Sequence, residues 1–208
     1  MKKFVPGLCL AALLGASAWA ASTNVALNQP VTASGTFGSS VSYSTIDDGT
    51  FFPENTYWQN GTVWWNDSSN PDPSTTPALT ITLDQTYSIS GIIVQADNND
   101  SYTLQYRSSS GGPWQTLWNV PFDFNGGGLA TRPNTDQTTQ YILATPVDVE
   151  AVKFFANQGD GDYSVSEIQL FGTPGSTPPP PSVPEPASVG LMTAGASALL
   201  LCFCRRKA

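Results

Sequence analysis

Apolar and polar residues alternate with a period of two along much of the chain between residues 79 and 171. The alternation covers residues 79–84, 102–107 and 152–156, and the short apolar runs at 92–94 and 168–171 are similar. A period of two is typical of strands with one buried face. We therefore predict a succession of short β-strands.

Segments rich in Gly, Asn, Asp and Pro separate these strands, and such residues favour turns. They lie at 48–49, 98–100, 111–113, 125–128 and 159–162. Little of the chain before its C-terminal tail has helical periodicity. Many short strands with frequent turns predict an all-β fold, a sandwich or jelly roll.

The first 20 residues have the pattern of a secretory signal peptide. Lys2 and Lys3 precede an apolar stretch at 4–16, and Ala18-Trp19-Ala20 supplies small residues on both sides of a cleavage position before Ala21. This order is typical of a signal peptide that is removed after translocation. We therefore expect residues 1–20 to direct export.

The C-terminal part begins with a Pro-rich stretch at 173–183, which favours an extended spacer. An apolar segment at 189–204 follows, and Arg205, Arg206 and Lys207 come directly after it. The segment is shorter than the about 20 residues of a typical membrane-spanning helix. It suits a transient transmembrane helix better than a permanent anchor, which remains the alternative. The cations indicate a cytoplasmic end.

Pro184, Glu185 and Pro186, the apolar segment and the terminal cations follow one another as in the PEP-CTERM tail of Gram-negative bacteria, which the C-terminus resembles. The resemblance implies that residues 184–208 are a sorting signal and that the three motif residues are recognised by an exosortase-type membrane peptidase. It implies a transient inner-membrane anchor, followed by location at the cell surface or in the extracellular matrix.

Residues 23–172 have the size of one domain. The cysteines, Cys9, Cys202 and Cys204, all lie outside this stretch, so no disulfide is expected in it. The chain contains no histidine. Ser-His-Asp and Cys-His catalysis and histidine-ligated zinc are therefore excluded.

The same stretch is strongly acidic. It carries all of the 16 acidic residues except Glu185, but only three of the eight cations, Arg107, Arg132 and Lys153. A surface of this sign repels phosphate backbones and anionic lipid head groups. We expect no nucleic-acid partner, and membrane contact only through the C-terminal segment before processing. Divalent cations and uncharged sugars remain suitable ligands.

Several stretches follow one another in the order found in the discoidin, or coagulation factor 5/8 type C, family, which this region resembles. They are Asn24 to Ser34, the Asp48-Gly49 turn followed by Thr56-Tyr57-Trp58, the predicted strands, Trp114, and 165–172 at the close. The resemblance implies a galactose-binding-like jelly-roll β-sandwich of about eight strands, with a ligand site in loops at one end. Because it lacks cysteine, this region resembles the bacterial carbohydrate-binding modules of the family more than its vertebrate members.

The resemblance also implies a structural Ca²⁺, an ion that prefers oxygen ligands. Carried over by position, its ligands are Asp48 and Thr56 in the loop and Glu167 on the closing strand. The alternatives are an exposed strand carboxylate for Glu167 and a turn residue for Asp48. Asp160 and Asp162 form a second candidate site, for which a solvated turn is the simpler interpretation.

A sugar offers an apolar face and a rim of hydroxyl groups, so aromatic rings and amide or carboxylate groups are the candidate contacts. Trp64 and Trp65 are adjacent in a polar stretch, and in an extended chain they point to opposite sides. At most one belongs to the core, and the other is the candidate platform. Trp58 and Trp114 are expected in the core. The candidate polar partners are Asn66, Asp67, Asn98, Asn99 and Arg132.

Three functions are compatible with these features. The favoured one is an exported, lectin-like protein that binds extracellular or matrix polysaccharide after exosortase sorting. The alternative is a structural matrix or biofilm component without a small-ligand site. A glycoside hydrolase ranks last, because the carboxylates show no spacing typical of a catalytic pair. We therefore expect a binding protein without enzymatic activity.

Overall fold

The structure, a computed structural model, describes residues 22–123 and 128–175. The predicted signal peptide, the sorting signal and the transmembrane segment at 189–204 lie outside these ranges, as does most of the Pro-rich linker. No helix within the two ranges is long and apolar enough to cross a membrane.

The described residues form nine strands and one short 3-10 helix, which confirms the all-β class predicted from the sequence. In chain order they are β1 Thr23–Asn24, β2 Val31–Ser34, the 3-10 helix Tyr43–Ile46, β3 Val63–Asn66, β4 Ala78–Asp97, β5 Ser101–Arg107, β6 Gln115–Val120, β7 Leu129–Arg132, β8 Tyr141–Gln158 and β9 Asp162–Pro174.

The long strand β4 organises the antiparallel sheet. Its first residues pair with β2 on one side and β8 on the other, whereas its last residues pair with β9 and β7. Register shifts near Ser90 separate the two halves. Beyond β8 the sheet continues through β5 to β6, and β9 carries both β1 and β3. The sheet is thus continuous, with β4 taking part in both of its halves.

The period-two pattern explains the burial of the first part of β4. Leu79 and Ile81 lie in the apolar core, whereas Thr80 and Thr82, which alternate with them, are half-buried. The rings of Tyr102 and Phe154 stack at 4.9 Å in the same core. Removal of such alternating apolar side chains from water supplies the main stabilisation of the sheet.

Four connections meet at one end of the fold. The β4–β5 turn contacts the β8–β9 turn, because the Asn99 side chain donates to Asp160. The connection before β7 contacts both the β4–β5 turn and the β2–β3 connection, because the Gly128 carbonyl accepts from the Asn98 N–H and the Leu129 N–H donates to Thr56. A ligand site formed by loops can therefore be sought here.

Gly128 is required for this convergence. Its φ is 114°, and a Cβ atom at this position would lie 2.2 Å from the Thr56 carbonyl oxygen. No other residue fits so close to a backbone oxygen in this conformation.

Candidate functional site

The converging loops enclose an open cavity of about 330 Å³, which we call the cleft. One side is aromatic and the other is polar. Its lining residues are Tyr57, Trp58, Asp97, Asn98, Asn99, Gly128 and Asp160.

The aromatic side consists of two neighbouring rings. Tyr57 is 60% exposed, and its ring centroid lies 5.9 Å from that of Trp58. Trp58 is half-buried and meets Trp64 edge to face at 5.6 Å. The prediction that Trp58 and Trp114 belong to the core was therefore wrong, because both are half-buried and lie in connections and not on strands. The Trp64 ring does not line the cleft, but it packs against Trp58 on one side and against Gly38 on another.

The polar side combines carboxylates and amides. Asp160 accepts a hydrogen bond from Asn99 Nδ2 at 2.6 Å through Oδ2 and one from the Asp162 N–H at 2.9 Å through Oδ1. Asp97 Oδ1 accepts from the Asn98 N–H at 2.8 Å. Burial raises the pKa of Asp97 to about 7, and the charge of Asp160 adds to the rise. The Asn98 N–H and Arg132 offset part of this rise.

Buried polar groups lie beneath the cleft. Arg132 donates from a terminal nitrogen to the Asp97 carbonyl oxygen at 3.0 Å, and its guanidinium lies 5.8 Å from the centre of the Tyr102 ring. Its other two nitrogens have no hydrogen-bond partner within the described ranges. Burial lowers the pKa of Arg132. Burial raises the pKa of Asp100 to about 8, and Asp97 and Asp160 contribute repulsion. Arg132 was predicted as a ligand contact but lies under the cleft floor.

A polar network fixes the loop that presents the aromatic rings. Gln95 Oε1 accepts from the Phe52 N–H at 2.8 Å, and Gln95 Nε2 donates to the Phe52 carbonyl at 2.9 Å. Glu54 accepts from the Thr131 N–H at 3.0 Å and from Gln137 Nε2 at 3.2 Å. Sequence reasoning missed Gln95 and Glu54. The signal for Gln95 was a single amide in the apolar run 92–96.

Trp65 was predicted as a ligand residue, and the structure contradicts this prediction. It is fully buried and stacks on Tyr163 at 5.9 Å, because alternation along β3 turns it to the core and Trp64 away from it. Asn66 donates to Asp162, and the Asp67 N–H donates to the Gly161 carbonyl at 3.0 Å. These two predicted residues therefore contact the β8–β9 turn, which carries Asp160, but do not line the cleft.

A second cluster, the buried carboxylate pair, consists of Asp47 and Glu167, both fully buried. Glu167 Oε1 accepts from the Gly49 N–H and from Gln169 Nε2, both at 3.1 Å. Glu167 Oε2 and both Asp47 carboxylate oxygens have no hydrogen-bond partner among the described residues. The Gln29 N–H also lies near Asp47 and donates to the Ala26 carbonyl at 3.3 Å.

Burial and mutual repulsion disfavour the charged forms of this pair. Burial raises the pKa of Glu167 to about 8, with further repulsion from Asp48 and Asp47. Burial raises the pKa of Asp47 to about 6; the Gln29 N–H offsets part of this rise, and Asp48 adds to it. Buried carboxylate oxygens without donors are costly unless a cation compensates them. The pair thus fits a hard divalent cation by its chemistry.

The other two predicted calcium ligands are engaged elsewhere. Asp48 is exposed, and its side chain accepts from the Thr50 N–H at 2.8 Å, as a turn residue does. The Thr56 hydroxyl donates to the Pro53 carbonyl at 2.7 Å. The described residues contain no complete group of three or more His, Cys, Asp or Glu side chains arranged for a metal. Asp47 was not among the calcium ligands predicted from the sequence. Its buried carboxylate without donors suits a cation better than the Thr56 hydroxyl, which already donates to the Pro53 carbonyl.

Comparison with protein families and with curated proteins found no match in either. Comparison with solved structures found similar folds. A chitosan-binding module of a chitosanase/glucanase from Paenibacillus sp. IK-5 has 20% identity and a TM-score of 0.48, with coverage of 72% of this chain and 99% of that one. The galactose complex of the family 32 carbohydrate-binding module from C. perfringens NanJ has 18% identity and a TM-score of 0.47, with coverage of 72% and 98%. The lectin domain of lectinolysin, complexed with Lewis B antigen, has 13% identity and a TM-score of 0.49, with coverage of 73% and 97%.

Proposed function

We propose that this protein is an exported carbohydrate-binding protein and that the cleft is its ligand site. The observation that carries the proposal is the exposed Tyr57 ring beside Trp58, facing a polar side formed by Asn99 and Asp160. Aromatic rings opposite a few placed polar groups are typical of small-ligand sites. The proposed role is binding without a catalytic step.

In the proposed complex, the C–H face of a sugar ring packs on Tyr57 and Trp58. Its hydroxyl groups donate to the Asp160 carboxylate and accept from Asn99. The cavity of about 330 Å³ is at the small end of the range for ligand sites, about 300–1,000 Å³. It therefore suits one or two sugar units of a longer chain whose remainder extends into solvent.

A glycan array with the purified protein tests this proposal, and galactose and chitosan are suitable first probes because two structural neighbours are described with them. Trp58→Ala is expected to weaken binding by about tenfold, in line with loss of one aromatic contact. Trp114→Ala is the matched control, because Trp114 is also half-buried but lies beyond the far end of β5, beneath Arg107 and Lys153.

If the folded protein retains no glycan, the cleft proposal is wrong and the alternative becomes the better account. That alternative is a structural matrix component without a small-ligand site. Equal loss of binding in both tryptophan variants would indicate a general effect on the fold and would remove the support for this cleft.

The buried carboxylate pair supports a second part of the proposal, a structural Ca²⁺. Asp47 and Glu167 would hold the ion, and Asp48 and Thr56 remain the ligands predicted by resemblance. The ion would compensate the unpartnered oxygens and fix the turn at 47–49 to β9. Calcium is then expected to raise the melting temperature of chelator-treated protein, and magnesium less so. No shift with calcium would contradict this part.

The localisation proposal rests on the sequence of the two chain ends. The protein is proposed to be exported, held transiently in the inner membrane, and released to the cell surface or matrix by an exosortase-type peptidase at Pro184, Glu185 and Pro186. Intact mass spectrometry of protein from its host should then lack residues 189–204. A Glu185→Ala variant is expected to keep the segment. Unprocessed wild-type protein would contradict the proposal.

A further inference from the structure

The charged side chains of the cleft indicate which kind of sugar it would bind. Asp97 and Asp160 are the charged side chains among the residues that line it. Asp97 lies at the inner side of the cleft and is only 2% exposed, whereas Asp160 is exposed at the rim. Asp160 therefore supplies the solvent-accessible negative charge of the cleft, and Asp97 lies deeper in the same cavity.

The three cationic side chains of the domain contact groups other than Asp160. Residues 23–172 contain only Arg107, Arg132 and Lys153. Arg107 and Lys153 both lie over the Trp114 ring, at 5.2 and 5.0 Å from its centre. Arg132 is buried and donates to the carbonyl oxygen of Asp97, under the cleft. The rim carboxylate of Asp160 therefore has no ion-pair partner among the described residues.

The hydrogen bonds of Asp160 leave it able to accept more. Each of its oxygens accepts one bond within the described ranges, from Asn99 and from the Asp162 N–H. An ionised carboxylate offers about four acceptor positions, so both oxygens retain capacity. The bond from Asn99 also fixes the carboxylate at the rim, which lowers the conformational cost of binding a donor.

We propose that the cleft selects an amino sugar with a free, protonated amino group over the N-acetylated or neutral form of the same sugar. This inference rests on the proposed carbohydrate-binding function and specifies its ligand class. The ammonium contacts Asp160 at the rim, while the C–H face of the ring lies on Tyr57 and Trp58. The negative charge of the cleft attracts this ligand and repels uronic acids and sulfated sugars.

Isothermal titration of the full chain with two oligosaccharides tests the inference. One is a fully deacetylated chito-oligosaccharide, and the other is the N-acetylated oligomer of the same length. We expect the deacetylated ligand to bind about fivefold more tightly, the upper range for a solvent-accessible ion pair. Asp160→Asn is expected to remove this preference, so that the two oligomers bind with affinities within about twofold of each other.

Asp84→Asn is the matched control. It removes the same charge from an exposed position near the middle of β4, far along that strand from Asp97. The preference is expected to remain in this variant. If both variants lose it equally, general attraction to an acidic protein explains the result and the inference is overturned.

The outcomes also separate the inference from the proposed function. Equal affinity for the two oligomers, or tighter binding of the acetylated one, overturns the amino-sugar preference but leaves carbohydrate binding in place. No binding of either oligomer or of any glycan on the array overturns both.

Discussion

The cleft and the buried carboxylate pair use the same chemical group in opposite ways. In the cleft, Asp160 is exposed and each of its oxygens already accepts a hydrogen bond. In the pair, Asp47 and Glu167 are fully buried, and three of their four oxygens have no partner among the described residues. The number of donors and the access of water distinguish the two sites, not the residue type.

This difference indicates two kinds of ligand. An open, partly satisfied carboxylate beside aromatic rings suits an organic molecule that keeps part of its hydration. An enclosed carboxylate without donors suits a dehydrated cation, which is the compensation a buried charge requires. The first prediction below concerns the buried carboxyl groups of both sites, and the later ones change one site at a time.

The largest expected effect is on the pH dependence of the calcium-free protein. Burial raises the pKa of Glu167 to about 8 and of Asp47 to about 6, and at the cleft that of Asp97 to about 7. A carboxyl whose pKa is higher in the folded than in the unfolded state stabilises the fold at low pH. This contribution is lost as the pH rises through the folded pKa, at up to about 1.4 kcal/mol per pH unit for each group.

Chemical denaturation with a chelator present should therefore show stability falling by several kcal/mol between about pH 5 and pH 8. Stability that is constant or rises over this interval would show that these carboxyl groups are not buried in the manner described.

Calcium at pH 8 gives the next largest effect. Saturating calcium is expected to add about 3 kcal/mol to the free energy of unfolding, as a ligand present at about 100 times its dissociation constant does. Glu167→Gln should raise the stability of the chelator-treated protein, because a neutral side chain replaces a buried charge, and should abolish the calcium increment. Asp160→Gln, at the cleft, should leave the increment intact. An unchanged increment in Glu167→Gln would place the ion elsewhere.

Removal of the amide that holds the aromatic loop should affect both stability and binding. Gln95→Leu loses both hydrogen bonds to the Phe52 peptide. The Phe52 N–H is then left without its partner, whereas the Phe52 carbonyl keeps the bond from Gln137 Nε2 at 2.9 Å. We expect a loss of about 2 kcal/mol in stability and weaker glycan binding. Val94 and Ala96 flank Gln95 in the core, so Val94→Ala supplies a packing control that lowers stability without changing the affinity of the remaining folded protein.

The smallest effects concern the exposed ring at the cleft. Tyr57→Ala is expected to weaken glycan binding by about tenfold, whereas Tyr57→Phe keeps the ring and should change affinity by less than about twofold. Because Tyr57 is 60% exposed, neither variant should shift the melting temperature appreciably. Equal losses in both variants would assign the contact to the hydroxyl group and not to the ring.

The sequence predicted the strands well because their signal is local. The alternation at 79–84 and 102–107 marks one buried face, and β4 and β5 contain these residues. The same reasoning correctly predicted that at most one member of the Trp64 and Trp65 pair belongs to the core. It could not decide which one, because a shift of one residue in the register of β3 exchanges the two faces.

The site was harder to predict because it depends on contacts between distant residues. Asp47 and Asp48 are adjacent in sequence, and only the end of the 3-10 helix turns the first inward and the second outward. Gln95 is 43 residues from Phe52, the backbone that it holds. Trp58 lines the cleft with Asp160 because four connections end together. No local pattern contains this information.

The length of strand β9 separates the cleft from the C-terminal end of the described residues. Asp162 begins this 13-residue strand beside the turn that carries Asp160, and Pro174 ends it. At about 3.3 Å per residue, these ends are roughly 40 Å apart. Gly175, the last residue that the structure describes, therefore lies at the pole opposite to the cleft. A surface tag attached at Gly175 would leave the cleft open to solvent.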